Sequence, residues 1–301
     1  MTQTTQTTQA TQKAQGAREA LTFTVHDSVF ARVPEYVMGL LGVEEITVGS
    51  GDPEIARLLA GAEDEVLALR LGSRSGVAAL PRIREWREAH RAVGFTPGRY
   101  PCAAESLLRR LAKGERLPRI NDLVDLCNAL SLGSRLPVAC CDVADIGSFR
   151  LAPATGGETF LPLGRPDAPE PPEPGELVFL DERRRAHSRR WNWRQSDVVA
   201  TATGRRRLMV TVESAHPDGR RDVEAVLERL AGLLARRTGA PPHTVVLDGA
   251  RRSGTVLPAG NPGPGPGSGP DPGPGSASGT ERGRDPGEAT ASWTRFSGRV
   301  W

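Results

Sequence analysis

Apolar and polar positions divide the chain into a patterned middle and two unpatterned ends. Residues 1–20 are rich in Thr and Gln and poor in apolar side chains. They cannot bury enough surface to offset the entropy of ordering, so disorder is expected there. LTFTVHDSVFARV, from Leu21, alternates with the period of two of a strand. YVMGLLGVEEITV, from Tyr36, is a more continuous apolar run suited to a buried strand. Asp52-Pro53-Glu54 opens a helix whose Ile55, Leu58, Leu59, Val66 and Leu69 share a face, with Gly61 expected to break it. In PRIREWREAHRAVG, Ile83, Trp86, His90 and Val93 make one stripe, with Arg82, Arg84, Arg87 and Arg91 off it. This makes His90 a packed or rim histidine rather than a ligand. Ala103 to Ala112 reads as a helix with Leu107, Leu108 and Leu111 inward and Arg109 and Arg110 outward, and Asn121 caps another over NDLVDLCNALSLG.

The second half turns to strands. LPVACC, SFRLAPA and TFLPLG are short β-like runs, followed by a Pro-rich bend, DAPEPPEPGE, and by an apolar run over Glu176 to Asp181. VVATAT and RLMVTVE, separated by Gly204, predict a hairpin over Asp197 to Glu213. Arg220 to Arg237 carries the i, i+3, i+4, i+7 apolar spacing of a helix packed on a sheet, and HTVVLDG supplies a last strand. The folded part is expected over 21–257. Residues 258–291 form a Gly/Pro-rich disordered linker, and 292–301, with Trp293, Phe296 and Trp301, an aromatic C-terminal segment that docks on the domain or on a partner protein.

Charge alters this picture only locally. The formal net charge is +3 over 301 residues, so a nucleic-acid site has to be a patch. Lys13 and Lys113 are the only lysines among 39 basic residues, which makes single arginines a weak signal and clusters a better one. Cys102, Cys127, Cys140 and Cys141 contain no CxxC pair and fit neither a common disulfide framework nor a zinc site, so reduced, buried thiols are expected. The N-terminus lacks the apolar core of a secretory signal, and nowhere do eighteen apolar residues run together. A cytoplasmic protein without membrane contact follows. GxSxG, HExxH, P-loop and GxGxxG are all missing, so no metal or cofactor is expected and the catalytic residues stay unassigned.

The densest chemistry lies over residues 176–213, where Arg183, Arg184, Arg185, Arg189, Arg190 and Arg194 surround Trp191 and Trp193. Two readings stand. Arginine clusters occur as solvated faces beside core tryptophans, but charge for phosphates next to flat rings is also how unstacked RNA bases are held. On the second reading Arg189, Arg190, Trp191, Asn192, Trp193 and Arg194 are the RNA-binding candidates. Asn128, beside the apolar stripe of its helix, is either hydrogen-bonded structure or a pocket group.

RINDLVDLCN at 119–128, the stretch Pro137 to Asp142, GETFLPLG and WNWRQ together resemble the editing domain of the phenylalanyl-tRNA synthetase beta subunit and its free-standing relatives. The resemblance spans about residues 22–237. It implies an α+β fold of layered β-sheets with flanking helices. It further implies removal of a wrongly attached amino acid, such as tyrosine, from the 3′ end of tRNA. The pocket asparagine of the family pattern falls on Asn128, its neighbouring threonine on Cys127, and the glutamate that meets the tyrosine hydroxyl on Glu213. The family's histidine beside the scissile ester falls on Ala139, which removes the obvious general base. The resemblance therefore implies either an editing hydrolase or a module that binds aminoacyl-tRNA, or a free amino acid, without turnover.

Overall fold

A computed structural model describes residues 19–259. The expected tail, linker and aromatic segment fall outside the described residues, apart from a position or two at their edges. The strands are β1 (Leu21–Val25), β2 (Val37–Val48), β3 (Val138–Asp142), β4 (Ser148–Pro153), β5 (Thr159–Phe160), β6 (Leu177–Asp181), β7 (Arg185–Ala186), β8 (Ser188–Arg189), β9 (Arg194–Gln195), β10 (Gly204–Ser214), β11 (His243–Leu247) and β12 (Ser253–Leu257). The helices are α1 (Asp27–Arg32), α2 (Pro53–Ala68), α3 (Arg74–Ala79), α4 (Pro81–Ala92), α5 (Ala103–Leu111), α6 (Asp122–Ser134) and α7 (Gly219–Thr238).

The fold is α+β, with layered sheets and flanking helices. A four-stranded antiparallel sheet runs β11-β2-β10-β3, and a six-stranded mixed sheet runs β12-β1-β4-β6-β7-β5. Within the latter, β1 with β4 and β5 with β7 are parallel. β8 and β9 form a separate ribbon.

The long pair β2 and β10 is covered on both faces, which is why β2 reads as an unbroken apolar run. On one face α7 lays Val223, Val226, Leu227 and Leu230 against Leu41, Val43, Leu208, Val210 and Val212. α6 adds Leu126, Cys127 and Leu130 to the same cluster. The other face turns Met38, Leu40 and Met209 into a second core shared with Trp86, Trp191 and the apolar side of β1. Gly39 makes the α7 contact possible, because a Cβ there would stand 2.5 Å from Val223 Cγ1.

Several expectations are corrected. LTFTVHDSVFARV is a strand only to Val25 and then turns into α1, with the His26 ring accepting from the Ser28 amide at its start. Gly61 does not break α2, which runs unbroken from Pro53 to Ala68. The hairpin over Asp197–Glu213 does not form: VVATAT makes a 3₁₀ turn at Asp197–Val199 and RLMVTVE belongs to β10, whose partners β2 and β3 lie far away in sequence. HTVVLDG is not the last strand, since β12 follows it.

Candidate functional site

The basic and aromatic stretch is divided: Arg189, Trp191 and Asn192 are buried, Arg185, Arg190, Trp193 and Arg194 half-buried, and Arg183 and Arg184 exposed. Trp191 is fully buried, with its ring 5.1 Å from Tyr36, 5.2 Å from Trp86 and 5.8 Å from His90. Arg190 and Trp191 both take left-handed backbone conformations, with φ of 47° and 69°, which costs a non-glycine residue energy that the packing must offset. Trp193 packs edge-on against Tyr100 at 4.7 Å. All six arginines have a carboxylate within ion-pair reach: Arg183 on Glu182, Arg184 on Glu158, Arg185 on Asp181, Arg189 on Glu176 and Glu170, Arg190 on Glu173 and Glu176, Arg194 on Glu170. Glu176 is buried and receives Arg189 Nε at 2.6 Å, Arg189 Nη2 at 3.0 Å and the Arg190 amide at 2.8 Å. Of the RNA-binding candidates, Arg189, Trp191 and Asn192 are buried, while Arg190, Trp193 and Arg194 keep part of their surface. Arg189 and Arg190, paired with Glu176, form a neutralised clamp next to Trp191.

Beside that clamp, Trp191 reaches Glu213. Its carboxyl group, 1% exposed on β10, accepts from the Tyr36 hydroxyl at 2.8 Å and Trp191 Nε1 at 2.9 Å on one oxygen, and from Asn192 Nδ2 at 3.2 Å on the other. Burial pushes its pKa up to about 7, against the downward pull of those three donors. Beyond Asn192 lies His90, whose Nε2 is 3.3 Å from Asn192 Oδ1 and whose Nδ1 is 3.0 Å from the Tyr100 carbonyl oxygen. Burial holds His90 down at about 4. His90 is thus a packed histidine, as its stripe implied, and its ring joins a polar network.

Asn128 lies elsewhere, on α6. The helix is started by Asn121, which accepts from the Val124 amide at 3.0 Å and donates to the Thr201 carbonyl at 2.8 Å. Seven residues on, Asn128 lines a small cavity of about 30 Å³ together with Ala103 and Leu107 of α5, Val124 and Cys127 of α6, Val138, Ala139 and Cys140 of the edge strand β3, and Gln195. Asn128 is 5% exposed, and its amide makes no hydrogen bond among the described residues. Gln195 Nε2 donates to the Cys140 carbonyl at 2.7 Å. Cys127 is pushed up by its contact with Cys140 and by burial, whereas Cys140 is held lower by Cys127. Asn128 and Ala139 are therefore brought together, while Glu213 and the Trp191 clamp do not line this cavity. Gln195 was not singled out in the sequence. Its only signal was its place at the end of WNWRQ.

The described residues contain no helix long and apolar enough to cross a membrane, and no group of three or more His, Cys, Asp or Glu able to hold a metal ion.

By its fold this is an α+β protein with layered sheets and flanking helices. More particularly, residues 85–231, a little under half of the chain, match the model of the B3/4 domain, a domain of the phenylalanyl-tRNA synthetase beta subunit, and are similar to it. The matched span runs from within α4 to within α7 and contains Asn128, Ala139, Trp191 and Glu213. Among solved structures, an N-terminal fragment of the phenylalanyl-tRNA synthetase beta subunit from Pyrococcus horikoshii is similar over 76% of this chain, at 10% identity and a TM-score of 0.36. The chain spans 52% of that fragment. No curated protein matches it.

Proposed function

We propose that this protein binds the aminoacylated 3′ end of tRNA in the cytoplasm, seats the aminoacyl group against Asn128, and acts in trans as an editing factor. The observation that supports this reading is the Asn128 amide, on a residue 5% exposed, without a hydrogen-bond partner within the fold, and lining a cavity. The Asn128 amide makes no hydrogen bond within the fold, so its donors and acceptor are open to a ligand carbonyl or ammonium group. The cavity as folded holds about one or two waters by volume. This favours a small aminoacyl group, or one that enters as the β3 edge opens.

No His, Asp, Glu, Lys or Arg lines the cavity. An aminoacyl ester is already activated, so hydrolysis there needs a water held by the amides of Asn128 and Gln195 and help from the neighbouring ribose hydroxyl of the substrate, with no side-chain base.

Tyr36 favours a second reading. Its hydroxyl occupies Glu213, the residue that the resemblance assigns to a substrate hydroxyl, and Ala139 stands where a histidine is expected. On this reading the protein binds charged tRNA, or a free amino acid, without turnover, either alone or as an accessory subunit.

Single-turnover deacylation and binding across a panel of mischarged tRNAs separate the two. Editing predicts release that falls about 10²- to 10³-fold in Asn128→Ala, by analogy with the loss of an oxyanion donor. It also predicts persistence in Cys140→Ala and collapse on tRNA whose terminal ribose carries only the esterified hydroxyl. Selective binding of charged tRNA without release gives the second reading, and equal affinity for charged and uncharged tRNA removes both.

A further inference from the structure

Among the helices of the first half lies a groove of about 520 Å³ whose lining includes Arg74 of α3, Arg84, Arg87 and Arg91 of α4, and Arg109 of α5. Resting on the tRNA-binding reading above, we infer that this groove is a docking site for the phosphate backbone of double-helical RNA.

The charge is concentrated and held in place. Arg84, Arg87 and Arg91 follow the spacing i, i+3, i+7, which puts three guanidinium groups on one side of α4. One buried carboxylate, Glu105, accepts from Arg87 Nη1 at 2.7 Å, from Arg109 Nε at 3.1 Å and from Arg109 Nη2 at 2.7 Å. Arg109 is fixed further by the carbonyls of Gly98 and Pro97, at 3.2 and 3.3 Å. Two of the five arginines are thereby oriented before any ligand arrives, which lowers the entropy cost of binding. Arg74, Arg84 and Arg91 are exposed and make no ion pair within the described residues. This sets them apart from the six arginines of residues 183–194, all of which are paired. Five positive charges face one negative charge, a local excess of four in a chain of net charge +3.

The rest of the lining decides which form of RNA fits. Ser75, Ala78, Ala79 and Gly98 complete it, with no aromatic ring. Single strands are held by charge together with rings on which bases stack, whereas charge alone reads a backbone whose bases are already paired. The groove also lies near the Asn128 cavity. α5 gives Arg109 to the groove and Ala103 and Leu107 to the cavity, so the two sites flank one helix, which is about 10–12 Å across. A single RNA can lay its backbone in the groove and bring its end to Asn128.

The test uses the full chain and a short blunt RNA duplex of arbitrary sequence, free of any aminoacyl group, titrated between about 50 and 200 mM salt. Arg74, Arg84 and Arg91 are replaced together by Ala. These are surface positions outside any ion pair, where substitutions are near neutral for folding. A control with the same change in charge replaces Arg205, Arg220 and Arg236, each exposed and paired with an acidic residue. The expected result is a log–log salt slope flatter by about 0.9 per lost contact, so by roughly 2 to 3, in the groove variant and close to that of the parent in the control. Equal slopes in the two variants, tighter binding of single strands than of duplexes, or displacement of the duplex by tripolyphosphate at equal phosphate concentration would each overturn the inference, the last by showing a small-anion site. Because the duplex carries no amino acid, its binding is independent of the cavity. Duplex binding through the groove in a parent protein that shows no selectivity for charged over uncharged tRNA leaves the groove and removes the editing reading, and the converse pattern removes the groove alone.

Discussion

Glu213 and His90 bend the pH dependence of stability in opposite directions from within one network. Folded, Glu213 holds its proton to about pH 7, against 4.5 for the free side chain. The folded state therefore binds more protons between those values, and the associated stability, present below 4.5, is lost as pH rises through 7. His90 falls from 6.5 to about 4, so its contribution is present above 6.5 and is lost as pH falls through 4. Each shift corresponds to on the order of 3 kcal/mol, and over the shared window the two nearly cancel. Urea unfolding of Glu213→Gln should show stability rising from pH 4 to 6.5, and His90→Gln should show it falling from 4.5 to 7. Slopes of the same sign in the two variants would mean that burial does not set these protons. At this scale the packed place of His90 was legible from its apolar stripe, while Asn128 and Glu213 were named through the resemblance and their roles are proposals. The inward turn of Arg189, Arg190 and Trp191 was not legible, because their counter-charges at Glu170, Glu173 and Glu176 lie within the Pro-rich bend more than a dozen residues earlier, and sequence spacing does not show pairing through space.

Elements with a strong period were legible: α4, α6, α7 and β2 all follow from their apolar spacing. The misses share a cause, which is that local propensity was given more weight than packing. A glycine inside a helix costs about 0.5–1 kcal/mol relative to alanine, too little to break α2 once Ile55, Leu59 and Val66 are buried. The same comparison gives a paired prediction. Gly61 has open space where a Cβ would go, so Gly61→Ala should stabilise the protein by about 0.5–1 kcal/mol. Gly39 sits against Val223 and Leu227 of α7, so Gly39→Ala should destabilise it by roughly 1–3 kcal/mol. Melting temperatures moving in opposite directions are the expected readout, and a stable Gly39→Ala protein would mean that α7 does not press on β2. The predicted hairpin failed differently. Gly204, at φ 103°, starts β10 and does not turn between two strands, and the long-range pairing with β2 and β3 overrides the local turn signal.

For the molecule as a whole, the strand that sequence reading left out ties the sheets together. β12 pairs antiparallel with β1, which pairs in turn with β4, so the six-stranded sheet is assembled from segments far apart in the chain. β12 also leans on the other sheet. The missing side chain of Gly42 on β2 lets the Val256 carbonyl and the Leu257 side chain approach, and a Cβ on Gly254 would stand 2.8 Å from Val245 of β11. Val256 and Leu257 are buried in the larger core, which holds residues from both sheets. Losing β12 should therefore loosen two sheets and not only one edge. Two shortened chains test this, one ended after Ala259, which keeps β12, and one ended after Arg252, which lacks it; comparing them separates the strand from the segment beyond. The shorter chain should be less stable by roughly 3–6 kcal/mol, from two buried aliphatic side chains at about 1.5–3 kcal/mol each. Its amide exchange should speed up in β2 and β11 as well as in β1. If only β1 loses protection, the two sheets fold as separate units, and the contacts across Gly42 and Gly254 are packing without cooperativity.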